Sequence, residues 1–240
     1  MRIEKLFGMD VFSGRSDELM NWLERRLKER KKTFIVTLNT YMCEYAIENE
    51  EFLKIVKNAD VVVPDGEGIV LALRILKGVR MEKIAGIDLM VELIRLASKR
   101  GYRIFLLGSK RHVVEEVKRN LEERFGNLIV GSNDGYFKED EDVIESINRS
   151  NADILFVGMG SPKQELWMAK NMEKLEPIIL MGVGGSFDVL SGYRKRAPKL
   201  FIRLKLEWLF RMLQDPRKLS RLGMMMRFVF RVLKRKLMNS

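Results

Sequence analysis

Short apolar runs of strand length punctuate the chain at residues 33–39, 61–63, 102–107, 128–131, 153–157 and 177–181, each rich in β-branched or aromatic residues. Between them lie amphipathic stretches with helical spacing. The first is opened by Ser16 and places Leu19, Trp22, Leu23 and Leu27 on one face. Further helices are predicted over about 41–57, 69–76, 86–99, around 113–125, over 139–148 and from near Lys163. Residues 3–12 read as one or two short strands around Gly8. Strands alternating with helices imply an α/β fold, a Rossmann-like and mostly parallel sheet with helices on both faces and right-handed crossovers.

In such a sheet every parallel strand ends on the same edge, and that edge holds the ligand crevice. The exits here are polar or rich in glycine: Thr37 and Asn39, Asp65-Gly66-Glu67-Gly68, Gly108-Ser109, residues 158–164 and residues 182–188. Asp65 follows a buried strand that Pro64 ends, and helical sequence follows. It reads equally as a helix cap or as a carboxylate facing substrate. The glycine loops suit a phosphate-bearing ligand held by backbone N–H groups. Neither is a Walker loop, and neither completes G-x-G-x-x-G.

Composition changes this picture in one respect. The net charge of +11 is concentrated at the C-terminal end, where residues 194–240 carry 15 Lys and Arg against Glu207 and Asp215. Residues 1–193 hold 29 basic and 31 acidic residues. This divides the chain into a body, 1–192, and a basic helical appendage, 193–240. One cysteine, Cys43, excludes an intramolecular disulfide framework and suits a reducing compartment. The alternating start, Met1 to Leu6, is unlike a signal peptide, and no apolar run reaches the roughly 18–20 residues that span a bilayer. The lone His112 sits in a charged helix start and reads as a solvated residue. Asp140-Glu141-Asp142 has the look of a metal-holding acidic pair, yet acids also favour a helix start, and a solvated terminus without metal is the reading adopted.

The exits occur in a recognisable order: Thr37-Leu38-Asn39, Pro64 to Gly68, Gly86-Ile87-Asp88, Gly158-Met159-Gly160-Ser161-Pro162-Lys163-Gln164-Glu165, Gly182 to Asp188, then Gly192 to Pro198 and Leu206-Glu207-Trp208-Leu209. In this the chain resembles the WecG/TagA/CpsF glycosyltransferases over nearly its whole length. Lys83 stands where the family often has Arg, and a Lys lacks the bidentate fork. The resemblance implies inverting transfer of N-acetylmannosamine from UDP to undecaprenyl-diphosphate-linked N-acetylglucosamine, a β-1,4 linkage in teichoic-acid-type polymers. A UDP-mannosaminuronate or another UDP-hexose is the alternative donor. Asp65 would be the base, with Thr37, Arg211, Arg217 and Arg221 in the catalytic set. Substrate would be bound by Asn39, Gly66, Lys83, Asp88, Gly108, Gly160, Lys163, Gln164, Glu165, Gly184 and Gly185. No metal or other cofactor is expected, so the basic appendage would offset the charge of the leaving diphosphate.

In that appendage Phe201, Leu204, Trp208 and Leu209 mark a helix that Asp215-Pro216 breaks. A second helix is predicted from near Arg217 towards Leu237, with Leu222, Met225, Met226, Val229 and Leu233 as its apolar stripe. A basic amphipathic helix of this kind fits an anionic membrane surface and a peripheral place on the cytoplasmic face of the membrane. No nucleic-acid module is recognisable, and a homo-oligomer is left open. A nicotinamide enzyme and a non-catalytic binder of RNA or anionic lipid are the competing readings.

Overall fold

The computed structural model describes residues 1–204, 206–214, 220 and 222–238. An antiparallel hairpin, β1 (Ile3–Leu6) and β2 (Met9–Phe12), leads to α1 (Ser16–Lys28) and β3 (Thr33–Leu38). Helices α2 (Thr40–Glu48) and α3 (Glu50–Asn58) precede β4 (Val61–Pro64), α4 (Glu67–Lys77) and α5 (Gly86–Arg100). Then come β5 (Ile104–Gly108), α6 (Arg111–Phe125), β6 (Ile129–Asn133), α7 (Asp140–Arg149), β7 (Ile154–Gly158), α8 (Lys163–Asn171), β8 (Ile179–Gly182) and α9 (Ser186–Leu190). The C-terminal part holds α10 (Lys199–Arg203), α11 (Glu207–Gln214) and α12 (Leu222–Met238).

One eight-stranded sheet runs β1-β2-β4-β3-β8-β7-β5-β6, parallel throughout except for the first hairpin. Its central strands are buried along their whole length, which explains why they read as continuous apolar runs instead of alternating ones. Helices cover both faces. Met42, Phe52, Ile69, Leu73, Val143 and Met168 pack on one side. Leu19, Leu23, Met90, Leu93, Val117 and Phe187 pack on the other.

Three local expectations change. The single helix over 41–57 is two, because Asn49 is extended (φ −132°, ψ 108°) and its side chain accepts a hydrogen bond from Phe52 N at 2.8 Å, starting α3 afresh. Ser16 is the first helical residue and no side chain caps α1; the Ser16 amide donates to Glu82 Oε2 instead. Asp140 is no solvated terminus. It accepts hydrogen bonds from Trp167 Nε1 (2.9 Å), Lys170 Nζ (2.8 Å) and Asn171 Nδ2 (3.3 Å), which pin α7 to α8.

The C-terminal helix does two things at once. Phe228 and Val232 are buried against the body, and α12 packs along α2 and α4. Of the stripe read from sequence, Leu222, Met226, Val229 and Leu233 are exposed, and Phe230 beside them is 69% exposed.

Candidate active site

The crevice lies where β3 and β8 adjoin. The helix after β3, α2, covers one face of the sheet and the helix after β8, α9, covers the other. Strand exits that diverge in this way open a gap at the carboxyl edge. Thr37 Oγ1 spans that gap, donating to the Gly182 carbonyl at 3.2 Å. Thr37 pairs with Val63 and Leu38 with Pro64, so Asp65 emerges one residue further on. The Asp65 amide donates to Leu38 O at 2.9 Å, which holds the half-buried residue at the edge of β3.

The helix cap after β4 falls to Gly66, at φ +128°, and no side chain caps α4 there. Of the two readings of Asp65, the cap is therefore the one the structure does not adopt. A methyl group on Gly86 would lie 3.3 Å from Thr37 Cγ2 and 3.4 Å from Asp65 Oδ2, so Thr37, Asp65 and Gly86 converge. Asn39 spends its side-chain oxygen capping α2, accepting from Met42 N at 3.1 Å.

The glycine loops form the other wall. Gly108 sits at φ +129°, and a Cβ there would lie 2.5 Å from the Gly158 carbonyl carbon, so β5 and β7 approach to a distance that only glycine allows. Ser109 N donates to Gly158 O, and Gly135 N to Ser109 O. Gln164 is 2% exposed, and its Oε1 accepts from both Gly160 N (3.1 Å) and Gly184 N (3.0 Å), while its Nε2 donates to Glu165 Oε1 at 2.6 Å. Gln164 thus ties the two glycine loops together, with the fully buried Glu165 behind it. Gly185 is the residue before α9, and Lys163 Nζ donates to Gly135 O at 3.2 Å.

The remaining candidates meet the C-terminal part. Lys83 Nζ lies 3.6 Å from Glu67 Oε1 and 3.5 Å from Glu207 Oε2. Asp88 Oδ2 accepts from Arg196 Nη2 at 2.7 Å, and this carboxylate holds the guanidinium pKa above its ordinary value. Arg211 belongs to α11, but its side chain lies outside the described residues, as do Arg217 and Arg221.

Two features escaped sequence reasoning. Arg194 Nε pairs with Asp188 Oδ2 at 3.1 Å, and Ser109 Oγ donates to Asp188 Oδ1 at 3.4 Å, so a cation is held beside the glycine loops. Its sequence signals were membership of the basic segment and a place in the Gly192 to Pro198 stretch. Tyr136, on the loop after β6, is exposed, and the preceding Gly135 packs against Gly108 and Met159. Among the described residues no three His, Cys, Asp or Glu side chains converge into a metal-holding set.

The model of the glycosyl transferase WecG/TagA/CpsF family matches residues 4–240. Two relatives from Staphylococcus aureus, strains MW2 and NCTC 8325 / PS 47, are each 38% identical over 204 residues, covering 85% of this chain and 80% of their own length. A third, from strain MRSA252, is 37% identical over the same span. All three are named N-acetylglucosaminyldiphosphoundecaprenol N-acetyl-beta-D-mannosaminyltransferase.

Proposed function

Since the chain belongs to the WecG/TagA/CpsF family of glycosyltransferases, we propose that it transfers N-acetylmannosamine from UDP to N-acetylglucosamine on undecaprenyl diphosphate, with inversion and a β-1,4 linkage. The observation that carries the reading is the Asp65 carboxylate at the β3/β8 crevice, beside Thr37 and Gly86 and without the helix-cap position. A sugar hydroxyl is a weak nucleophile, and a carboxylate within hydrogen-bond reach supplies the missing basicity as the bond forms. Asp65 takes the proton of the acceptor 4-hydroxyl while the hydroxyl oxygen attacks the anomeric carbon. The bond from that carbon to UDP breaks, and the electron pair leaves with the diphosphate.

The glycine loops at Gly108, Gly160, Gly184 and Gly185 form the donor wall; the Gly160 and Gly184 amides are engaged by Gln164, so these loops serve by letting a diphosphate approach the backbone closely. Gln164 acts by holding those loops. The charge on the leaving diphosphate is assigned to Arg211, Arg217 and Arg221 without a metal. For Arg211 the support is the tie between α11, which carries it, and Lys83 through Glu207; Arg217 and Arg221 lie outside the described residues.

For the acceptor, the reading extends to the membrane. No described helix is long and apolar enough to cross a bilayer. On α12 the face opposite Phe228 and Val232 exposes Met226, Val229, Phe230, Leu233 and Leu237, with exposed Arg227, Lys234 and Lys236 alongside. Apolar side chains bordered by cations suit an anionic lipid surface on the cytoplasmic side.

Turnover of UDP-N-acetylmannosamine, UDP-N-acetylmannosaminuronate and UDP-N-acetylglucosamine with a short-chain polyprenyl-diphosphate-N-acetylglucosamine tests the reading. UDP-N-acetylmannosamine should be used fastest, and EDTA should leave the rate unchanged. Release of UDP from none of the three donors would overturn it.

A further inference from the structure

The segment 83–88 lies between Asp65 and the C-terminal part of the chain, and it is fixed on both sides. Towards the body, Ile84 N donates to Pro64 O at 3.1 Å, and Gly86 lies so near Thr37 and Asp65 that an added Cβ would come within 3.3 Å of Thr37 Cγ2 and 3.4 Å of Asp65 Oδ2. Towards the C-terminal part, two ion pairs flank Gly86. Lys83 stands between Glu67, the first residue of α4, and Glu207, the first residue of α11. Asp88, on the first turn of α5, holds Arg196.

These pairs have opposite polarity: the body presents a cation to Glu207 and an anion to Arg196. A displaced seating that exchanged the partners would set Lys83 against Arg196 and Asp88 against Glu207, which is repulsive twice over. The pattern therefore selects one seating. Lys83 is 20% exposed and has two carboxylates, whereas the Asp88–Arg196 pair is largely open to solvent and screened by it. Most of the coupling accordingly runs through Lys83, and Asp88 contributes register.

Lys83 and Asp88 read from sequence as substrate ligands; their charges are engaged by the chain's own ions. We propose that Lys83 and Asp88 are positioning residues, forming a two-point electrostatic clamp that makes the placement of Asp65 depend on how residues 193–214 are seated. The clamp acts on one side through Glu67, which sits two residues after Asp65, and on the other through Gly86 and the Ile84–Pro64 hydrogen bond. It rests on the proposed role of Asp65 for its effect on turnover, but not for its effect on the backbone.

The test combines hydrogen–deuterium exchange on the full-length protein with steady-state kinetics on UDP-N-acetylmannosamine. The variants are Lys83→Met, Glu207→Met, Asp88→Arg, Arg196→Asp and the exchanged pair Asp88→Arg/Arg196→Asp. Each single change should speed exchange of the amides of 65–69 and 84–88. Each should lower kcat, about 10-fold for Lys83→Met and about 3-fold for Asp88→Arg, with donor KM within about 2-fold. The exchanged pair should return both readouts to within about 2-fold of the parent. The clamp is refuted if the exchanged pair stays where the single variants are, or if Lys83→Met raises donor KM about 10-fold with exchange unchanged, as a direct ligand would. The Asp88–Arg196 pair is about half exposed, so its variants are expected to fold, and this arm remains decisive even if Lys83→Met does not. If the parent turns over no UDP-N-acetylmannosamine, the assigned reaction fails, and exchange alone still decides for or against the clamp.

Discussion

Arg231 of α12 closes on Glu44 of α2 with two hydrogen bonds, Nε to Oε2 at 3.1 Å and Nη2 to Oε1 at 2.9 Å, and Glu44 has no exposed surface. The same carboxylate holds the guanidinium pKa above its ordinary value. Nearby, Arg227 pairs with Glu48 at 2.9 Å, and Phe228 meets Phe7 edge-on with ring centroids 6.0 Å apart. A segment that composition sets apart from the body is thus joined to it by a buried charge and an apolar contact. Asn39 caps helix α2, so α12 braces an element whose first turn borders the crevice.

Arg231→Ala should therefore cost stability, because it leaves a buried carboxylate without its cation. The expected loss is about 2 kcal/mol, read as a fall in Tm of about 4–8 °C in thermal circular dichroism. Arg231→Lys should recover only part of it, since an ammonium cannot make both bonds of the fork. An unchanged Tm for Arg231→Ala would mean that water replaces the guanidinium at no cost.

Asp65→Asn keeps the shape of the β4 exit and removes the base. Turnover should fall by about 10² to 10⁴-fold, while UDP affinity in a calorimetric titration stays within about 3-fold of the parent. A rate near normal would remove Asp65 from the proton-transfer role and return it to a structural one.

Asp140 offers a test by pH. The Lys170 ammonium, followed by the Trp167 and Asn171 donors, holds its carboxyl below the usual carboxylate range against the opposing effect of burial. A carboxyl with a lowered folded-state pKa adds stability that is present above its unfolded value, about 3.9, and is lost as pH falls through the folded value. Asp140→Asn should lower Tm at pH 7, and the gap from the parent should close as pH drops below about 4. A gap that is constant from pH 7 to pH 3 would show that shape, not charge, joins α7 to α8.

Much of this architecture was legible in the chain. The buried runs such as Phe34-Ile35-Val36 and Leu155-Phe156-Val157 announced a parallel sheet, and the polar residues after them marked its carboxyl edge. What the sequence hid was pairing. Glu141 and Asp142 are exposed as read, but Asp140 is not, because Trp167, Lys170 and Asn171 reach it only through the tertiary fold. The tie that Gln164 makes between two loops was hidden because nothing local shows Gly160 and Gly184 meeting at one oxygen. Lys83 and Asp88 likewise look free until Glu207 and Arg196 arrive from far along the chain. Composition marked the basic appendage, but it could not tell which face of α12 docks, because apolar residues occur on both.

That two-faced helix leads to a prediction about the membrane. Arg231, Phe228 and Val232 are committed to the body, whereas Phe230, Leu233 and Leu237 point away from it, 51–79% exposed. Changing the outward residues should leave folding intact, since no buried contact is lost. Phe230→Ser/Leu233→Ser should keep Tm within about 2 °C of the parent while partitioning onto anionic liposomes falls by about 100-fold or more, because each apolar side chain inserted is worth roughly 1.5–3 kcal/mol. Binding by the parent should also weaken with salt, since Arg227, Lys234 and Lys236 add an electrostatic part that ions screen. With a short, water-soluble acceptor the double variant should turn over at the parental rate, because recruitment no longer matters there. With an undecaprenyl acceptor in vesicles it should slow in step with the lost binding. Liposome binding equal to the parent's would show that the outward face of α12 is not the membrane contact.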